Sequence, residues 1–373
     1  MRVLHFYKTT LPDSVGGIEN VIDQIARGTS RLGVEVETLS LSRRPGTGPV
    51  AINGYRAHRA RLDFELASTG FSLSVLGMFG RLARRADIVH YHFPWPFMDL
   101  VHFVARAKVP TLVTYHSDII RQKHLARLYR PLEDCFLGDV DRIVATSPNY
   151  LASSEILRRH RHKTSIIPIG LDRDMYPRPS ADRMARWRSR LGPRFFLFVG
   201  VLRYYKGLHV LVEAARGTDY PIVIVGAGPI ETELKAQAER LGLGNVHFLG
   251  FLPEEDKVAL LQASYAIVFP SNLRSEAFGV SLLEGAMHGK PMISSEIGTG
   301  TSYVNVPGET GVVVAPDDPE ALRRAMHRLW HDPEEAAAMG RKAEARFHAL
   351  FTAGRMVEQY VGLYQDLLAG ARG

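Results

Sequence analysis

Phe195-Phe-Leu-Phe-Val-Gly-Val-Leu-Arg-Tyr-Tyr-Lys-Gly207 opens with five apolar residues, breaks at Gly200, and continues into a loop carrying two cations. A short apolar run of this kind, bounded by glycine, reads as a strand buried on both faces. Toward the C-terminus, similar runs occupy 222–225, 246–249, 266–269, 291–294 and 311–314, separated by helical patterns at 208–215, 230–241, 253–262, 280–288 and 319–329. Two further helical patterns, 333–350 and 355–368, finish the chain. Toward the N-terminus lies a polar, arginine-rich segment, and before it an earlier series of the same kind. That series has strands at 3–7, 36–39, 88–92, 111–115, 143–146 and 165–167, and helices over 71–86 and 123–137. Alternation of strand and helix means βαβ units and a parallel sheet covered on both faces. The pattern runs once and restarts, so the expected fold is α/β with two doubly wound domains, 1–169 and 170–373. The last helix, about 355–370, is expected to pack back on the first domain. Ligands of such sheets bind beyond the carboxyl ends of the strands, which places the expected site in a cleft between the two domains.

The length, 373 residues, suits two domains. One cysteine, Cys135, excludes an internal disulfide and a four-cysteine metal site, and reads as a small buried residue on a helix. The opening Met1-Arg-Val-Leu-His-Phe-Tyr7 is too short an apolar stretch for a signal peptide, and no run is long enough to span a bilayer, so a cytoplasmic protein is expected. The charge is uneven. Residues 1–165 hold 23 Lys/Arg against 15 Asp/Glu, a net of +8, and the remainder holds 23 against 24, a net of −1, which together give the +7 of the whole chain. A basic N-terminal half suits an anionic membrane surface, with the protein peripheral on its inner face. Its arginines are scattered and no nucleic-acid module is present, so nucleic acid is not an expected partner.

Three motifs carry chemistry. Gly16-Gly17-Ile18-Glu19 follows the first strand and starts a helix, where main-chain amides accept anions and paired glycines let a phosphate approach. Arg203 and Lys206 lie at a strand's carboxyl end and suit a diphosphate leaving group. Glu276-Ala-Phe-Gly-Val-Ser-Leu-Leu-Glu284 sets two carboxylates eight residues apart with Gly279 at a helix start. Glu276 then lies in the loop, Glu284 points from the helix, and the amides around Phe278, Gly279 and Val280 can hold a phosphate. Such carboxylates serve as binders of sugar hydroxyls or as a general acid/base pair; spacing alone leaves both open.

The run from Phe269 to Pro291 that contains these glutamates resembles the signature of family 4 retaining glycosyltransferases of the GT-B fold, two Rossmann-like domains facing across a cleft. The glycine pair, Tyr115-His-Ser-Asp118, the arginine-to-lysine loop, Val225-Gly-Ala-Gly-Pro229 and Gly308-Glu-Thr-Gly311 occur in the family's order, so the resemblance covers nearly the whole chain. It implies that Gly16 and Gly17 lie against the donor diphosphate, which Arg203 and Lys206 grip. It implies that His116 touches the transferred sugar and that Asp118 shapes the acceptor side. Glu276 would hold the sugar's hydroxyls, with Phe278, Gly279 and Val280 offering amides. Glu284 would hold the ribose, and Leu252 and Lys257 would lie beside the base. The implied reaction retains configuration, passes the acceptor's proton to the leaving phosphate, and needs no protein nucleophile, cofactor or metal.

Gly298-Thr-Gly-Thr-Ser-Tyr-Val-Asn305 resembles the members that handle mannose or rhamnose in bacterial O-antigen and lipopolysaccharide assembly. That implies a GDP-sugar donor and a lipid-diphosphate-linked saccharide acceptor. A UDP-sugar with a different or soluble acceptor is the alternative; a non-catalytic scaffold and a sugar-nucleotide epimerase are the remaining rivals. Other signals lead elsewhere. Val225-Gly-Ala-Gly-Pro-Ile-Glu231 lacks the third glycine of a dinucleotide fingerprint. Asp139-Val-Asp141 and Asp172-Arg-Asp174 are not at strand carboxyl ends, and His90 with His92 shows no third ligand, so no metal is expected. Phe71, Val75, Met78, Phe79 and Leu82 at helical spacing read as a helix packed on the sheet rather than one lying on a membrane.

Overall fold

Strands form where the apolar runs lie between glycine-rich or polar breaks. The structure, a computed structural model, describes residues 1–66, 69–119 and 123–371, without the side chains of 123–127. It divides into two compact units, Met1–Gly170 with Ala353–Gly373, and Leu171–Thr352. The closing helix thus belongs to the first unit, and the second is not a continuous 170–373.

The strands of unit 1 are β1 (Arg2–Phe6), β2 (Glu35–Ser42), β3 (Val50–Ile52), β4 (Tyr55–Arg61), β5 (Phe64–Leu66), β6 (Thr69–Phe71), β7 (Ile88–Phe93), β8 (Thr111–Tyr115), β9 (Arg142–Ala145) and β10 (Thr164–Ile166). Eight of them form one sheet in the order β10-β9-β8-β7-β1-β2-β4-β3, parallel except for β3. Its helices are α1 (Gly17–Arg31), α2 (Ser74–Ala83), α3 (Pro96–Ala105), α4 (Lys123–Asp139), α5 (Pro148–Ser153) and α6 (Glu155–Arg159). Unit 2 holds α7 (Ala181–Leu191) and then β11 (Phe196–Val199), α8 (Leu208–Ala214), β12 (Ile222–Val225), α9 (Glu231–Arg240), β13 (Val246–Gly250), α10 (Glu254–Ala263) and β14 (Ala266–Phe269). It continues with α11 (Val280–Met287), β15 (Met292–Ser295), α12 (Thr301–Val304), β16 (Gly311–Val314), α13 (Pro319–His331) and α14 (Pro333–Leu350). Its sheet is parallel throughout, in the order β13-β12-β11-β14-β15-β16. The order reverses between β11 and β14, the switch point where a doubly wound sheet leaves a crevice.

The sequence expectations need correction in three places. The hairpin β3–β4 and the pair β5–β6 fill a stretch to which the sequence pattern assigns no element, and α2 starts at Ser74, so Phe71 lies on β6 with its ring stacked on Phe64 at 4.7 Å. Val75, Phe79 and Leu82 of α2 are buried, as a helix packed on a sheet requires. α7 arises in the arginine-rich segment because Ser180 caps it and Asp256 of α10 holds it, through Arg183 at 2.5 Å and the Trp187 indole at 2.8 Å. Cys135 is exposed on α4, not buried.

The last helix, α15 (Ala353–Gly370), packs on α1 through a buried stripe of Met356, Val357, Tyr360, Tyr364 and Leu367. Gly28 permits the approach: a Cβ there would lie 2.3 Å from Val357 Cγ2. Alanine ordinarily favours a helix over glycine by about 1 kcal/mol. Here overpacking of about 1–3 kcal/mol opposes that gain. Gly28→Ala should therefore lower the thermal midpoint of unfolding, and adding Val357→Ala should recover much of the loss. A Gly28→Ala protein melting at or above the parent would show that the helices part freely.

Candidate active site

In unit 2, glycines let three loops touch at the carboxyl edge of the sheet. Gly207 has φ +64°, and a Cβ on it would stand 1.9 Å from the Pro270 carbonyl oxygen. One on Gly226 would stand 2.0 Å from the Gly200 carbonyl oxygen, and one on Gly228 2.3 Å from that of Leu202. The Val225-Gly-Ala-Gly run thus seats the loop after β12 on the loop after β11. The amide of Asn272, after β14, donates to the Tyr205 carbonyl at 3.0 Å.

These contacts bring Lys206 to Glu276. The ammonium donates to Glu276 Oε2 and lies 4.8 Å from the centre of the Phe269 ring, and Ser271 Oγ donates to the same oxygen at 3.3 Å. Both charged side chains are 12% exposed. Glu276 Oε1 has no hydrogen-bond partner among the described residues. Arg203, three residues earlier in the loop, is exposed. Phe278 is buried, and Gly279, at φ +90°, caps α11 so that the amides of its first turn, Val280 included, open at the loop. Glu284 is buried on α11, and its Oε1 accepts from Lys257 Nζ at 2.8 Å and from the Tyr176 hydroxyl at 3.2 Å. Burial alone would lower the Lys257 pKa, but the Glu284 and Glu254 carboxylates outweigh it and hold it above the usual lysine value. Leu252 is half-buried just before α10. Each glutamate is thus joined to a lysine, and the two share no hydrogen bond among the described residues. Tyr176 was not anticipated, since it lies far from Glu284 in sequence.

Unit 1 supplies its own cluster. The Glu19 carboxylate folds back on the loop after β1, accepting from Thr9 at 2.7 Å and Ser14 at 3.3 Å. A Cβ on Gly16 would stand 2.4 Å from that carboxylate, whereas one on Gly17 would meet nothing within 4 Å, so the helix start at Gly17 is open. His116 follows β8, and its Nε2 shares a 3.0 Å hydrogen bond with His92 Nδ1. His92 Nε2 in turn meets His5 Nδ1 at 2.9 Å. Asp118 is braced, accepting from the Tyr115 and Ser154 hydroxyls, each at 2.9 Å.

The relatives of the chain fit this arrangement. Residues 15–175 match the family model Glycosyltransferase Family 4, and residues 181–346 match Glycosyl transferases group 1. Over 353 residues the chain is 64% identical to D-rhamnosyltransferase WbpZ of Pseudomonas aeruginosa, covering 95% of this chain and 93% of that one. Over 368 residues it is 49% identical to O-antigen chain mannosyltransferase C of Escherichia coli, covering 99% of each. The chain belongs to the family 4 glycosyltransferases. It is a hexosyltransferase. The fold is similar to that of sucrose-phosphate synthase from Thermosynechococcus elongatus, with a TM-score of 0.81 at 23% identity over 99% of each chain. It is also similar to that of Anabaena HepE in complex with UDP-glucose, with a TM-score of 0.77 at 19% identity over 98% of this chain and 100% of that one.

In this glycosyltransferase the absence of a third histidine beside His90 and His92, expected from the sequence, is overturned. His5 joins them, because the β1–β7 register sets His5 beside His90. The three still make a poor chelate. His5 Nδ1 and His92 Nε2 are spent on one another at 2.9 Å, and the other nitrogen of His92 meets His116 at 3.0 Å. His90 is also committed at both nitrogens, to Tyr364 at 2.8 Å and Thr114 at 2.7 Å. The Asp-x-Asp strings are occupied too: Asp139 meets His102 at 2.8 Å, Asp141 accepts the Thr111 amide at 2.7 Å, and Asp172 caps a short turn.

Burial pushes His5 and His116 down to about 3, and lowers His90 and His92 as well, so all four rings are neutral near pH 7. A neutral imidazole has one donor and one acceptor nitrogen, so the protons along His5–His92–His116 must all point one way. His5 Nε2 is buried without a partner. Since an orphaned buried N–H is the rarer defect, the chain runs with His5 Nδ1–H donating to His92 and His92 Nδ1–H donating to His116 Nε2. His116 Nδ1–H then remains a donor.

These folded-state values lie below the unfolded one, so the unfolded chain binds the extra protons, and stability is full above about pH 6.5 and falls with acid. Burial raises Glu133 to about 7 and raises Asp99; both oppose the trend, but they are two groups against four. The loss should be on the order of 1 kcal/mol per pH unit for each uncompensated histidine. Urea unfolding at pH 7 and pH 5 measures it, with hydrogen exchange locating the weakening in unit 1. Equal stability at both values would contradict buried neutral rings.

Proposed function

We propose that the chain transfers mannose or rhamnose, with retention of configuration, from a GDP-sugar to a lipid-diphosphate-linked saccharide in O-antigen assembly. The observation that carries the chemistry is the Lys206–Glu276 pair at the switch point of the unit 2 sheet. One oxygen of Glu276 is anchored by the cation and the other is left to accept from sugar hydroxyls, while Lys206 and Arg203 neutralise the charge that grows on the departing diphosphate. The sugar's anomeric carbon–oxygen bond to phosphate breaks, the acceptor oxygen bonds to the same face, and its proton passes to the leaving phosphate. His116, neutral, donates through Nδ1 to a sugar hydroxyl rather than acting as a base. Glu284, oriented by Lys257 and Tyr176, holds the ribose. The positive charge comes from Lys206 and Arg203, so the reaction proceeds without a metal.

The names of the two relatives, a rhamnosyltransferase and an O-antigen mannosyltransferase, support the donor sugar and the pathway. No helix among the described residues is long and apolar enough to cross a membrane. Access to a lipid-linked acceptor then rests on a peripheral association of the basic unit 1 with anionic lipid.

Lys206→Met should lower kcat/KM by about 10²–10³-fold, as loss of one preorganised group facing developing negative charge does. Glu276→Gln should reduce turnover without any covalent sugar accumulating on the chain, as read by intact-mass spectrometry; an adduct would mean a nucleophilic mechanism. For the base, a nucleotide at a hundred times its Kd stabilises by about 2.7 kcal/mol, several degrees in a thermal scan. GDP should produce this shift at lower concentration than UDP, and stabilisation by UDP alone would overturn the donor assignment.

A further inference from the structure

At the edge of the unit 1 sheet lies a cavity of about 280 Å³ that the site described above does not use. Its wall is built from three places. The loop before β3 contributes Gly46 and Gly48, β4 contributes His58 and Arg59, and the end of α2 contributes Arg81 and Arg85. The loop is shaped around a guanidinium: Gly46 has φ +71°, and a Cβ on it would lie 2.9 Å from Arg59 Nη2. A Cβ on Gly48 would meet nothing within 4 Å, so the loop leaves the cavity open there. His58 is taken by Glu37 at 3.1 Å, and Arg59 reaches Asp13, in the loop that carries Gly16, at 3.3 Å. Arg81 and Arg85 have no acidic partner among the described residues. Glu37 is balanced by Arg56 at 3.6 Å, so the three guanidinium groups of the lining are left with the one carboxylate of Asp13, an excess of two positive charges.

Cations near a helix C-terminus also serve the helix dipole. That role would not require a third arginine from a strand or a glycine loop wrapped over it. We propose that this cavity binds a phosphate-bearing ligand of the diphosphate-diester class, whose one charge on each phosphate balances the excess. Planar guanidinium forks suit phosphate oxygens in pairs. If the function proposed above holds, on which this assignment of the ligand rests, the ligand is the acceptor's diphosphate; a phospholipid headgroup shares the phosphodiester but carries one phosphate and one charge.

Inorganic pyrophosphate is the direct probe. It would be titrated by calorimetry into the full chain with GDP in saturating amount, so that the Arg203–Lys206 loop is already occupied. The Arg81→Gln/Arg85→Gln double variant should bind it at least tenfold more weakly than the parent while melting at the same temperature. Gly48→Glu, which puts a carboxylate into open space and leaves every arginine in place, should do the same. A rise of about tenfold in KM for the lipid-diphosphate acceptor in detergent, with kcat and donor KM unchanged, identifies the acceptor as the source. Unchanged acceptor kinetics with lost sedimentation on phosphatidylglycerol vesicles, relative to phosphatidylcholine, identifies the phospholipid. Pyrophosphate affinity equal to the parent's in both variants overturns the site. A protein that transfers no sugar to the lipid-linked acceptor would sink the proposed function, yet the pyrophosphate titration would still decide the cavity.

Discussion

Parallel pairing is the constraint from which the rest follows. When neighbouring strands run the same way, every strand delivers its following loop to one edge of the sheet, and the crossovers must be helices. In unit 2 the loops after β11 and β14 flank the reversal of strand order, so Lys206 and Glu276, seventy residues apart, become neighbours once close glycines let those loops touch. In unit 1 the same rule sets the turn after β1 and His116 after β8 on one edge. The register of β1 against β7 sets the His5 ring 4.6 Å from that of His90 and thereby creates the ring cluster behind His116. The chemistry is therefore written mainly at strand ends, where the backbone is free to be glycine and the side chains are free to be charged.

Ion pairs at such an edge are poor evidence of stability. Taking a lysine and a glutamate largely out of water costs several kcal/mol per ion, and the attraction returns this only with good geometry and further hydrogen bonds. Glu276 receives two donors on one oxygen and none on the other, which is an incomplete arrangement for a structural pair and a useful one for a ligand. Glu284 follows the same pattern with Lys257 and Tyr176 on a single oxygen. A half-satisfied carboxylate beside a fixed cation is ready to bind hydroxyls, because the orienting work is already done by the protein.

What the sequence made legible follows from where its signals are local. Apolar runs such as Phe196–Val199 and Ile222–Val225 are strands whatever surrounds them, and the motif from Glu276 to Glu284 carries its own loop-to-helix geometry. The strands between 50 and 66 are hard to read because arginines interrupt their apolar residues. Yet Asn53-Gly54, with φ of 46° and 94°, is the strongest short hairpin signal and sits at the β3–β4 turn. Helix α7 was missed for a different reason: only Trp187 and Leu191 are buried, and its hold on the unit comes through Asp256, a partner far away in sequence. Cys135 misled because the spacing of a helix says which residues share a face, not which face is covered. Pairings that depend on strand register, such as His5 with His92, leave no trace in a single sequence at all.

The return of α15 to unit 1, expected from the sequence, has a chemical reason in the partners it finds there. The sheet face that presents His90, His92 and Thr114 is polar, and a helix offering only aliphatic side chains would strand those groups without partners at a cost of about 1–3 kcal/mol each. α15 offers two tyrosines instead: Tyr364 meets His90 and Tyr360 meets Thr114 at 2.9 Å, while their rings keep the contact dry. Tyrosine is apt here because one side chain carries both a large apolar body and a hydroxyl that needs a partner when buried. The polar face behind His116 is thus completed from the far end of the chain, across more than 240 residues, by a helix whose two hydroxyls meet His90 and Thr114.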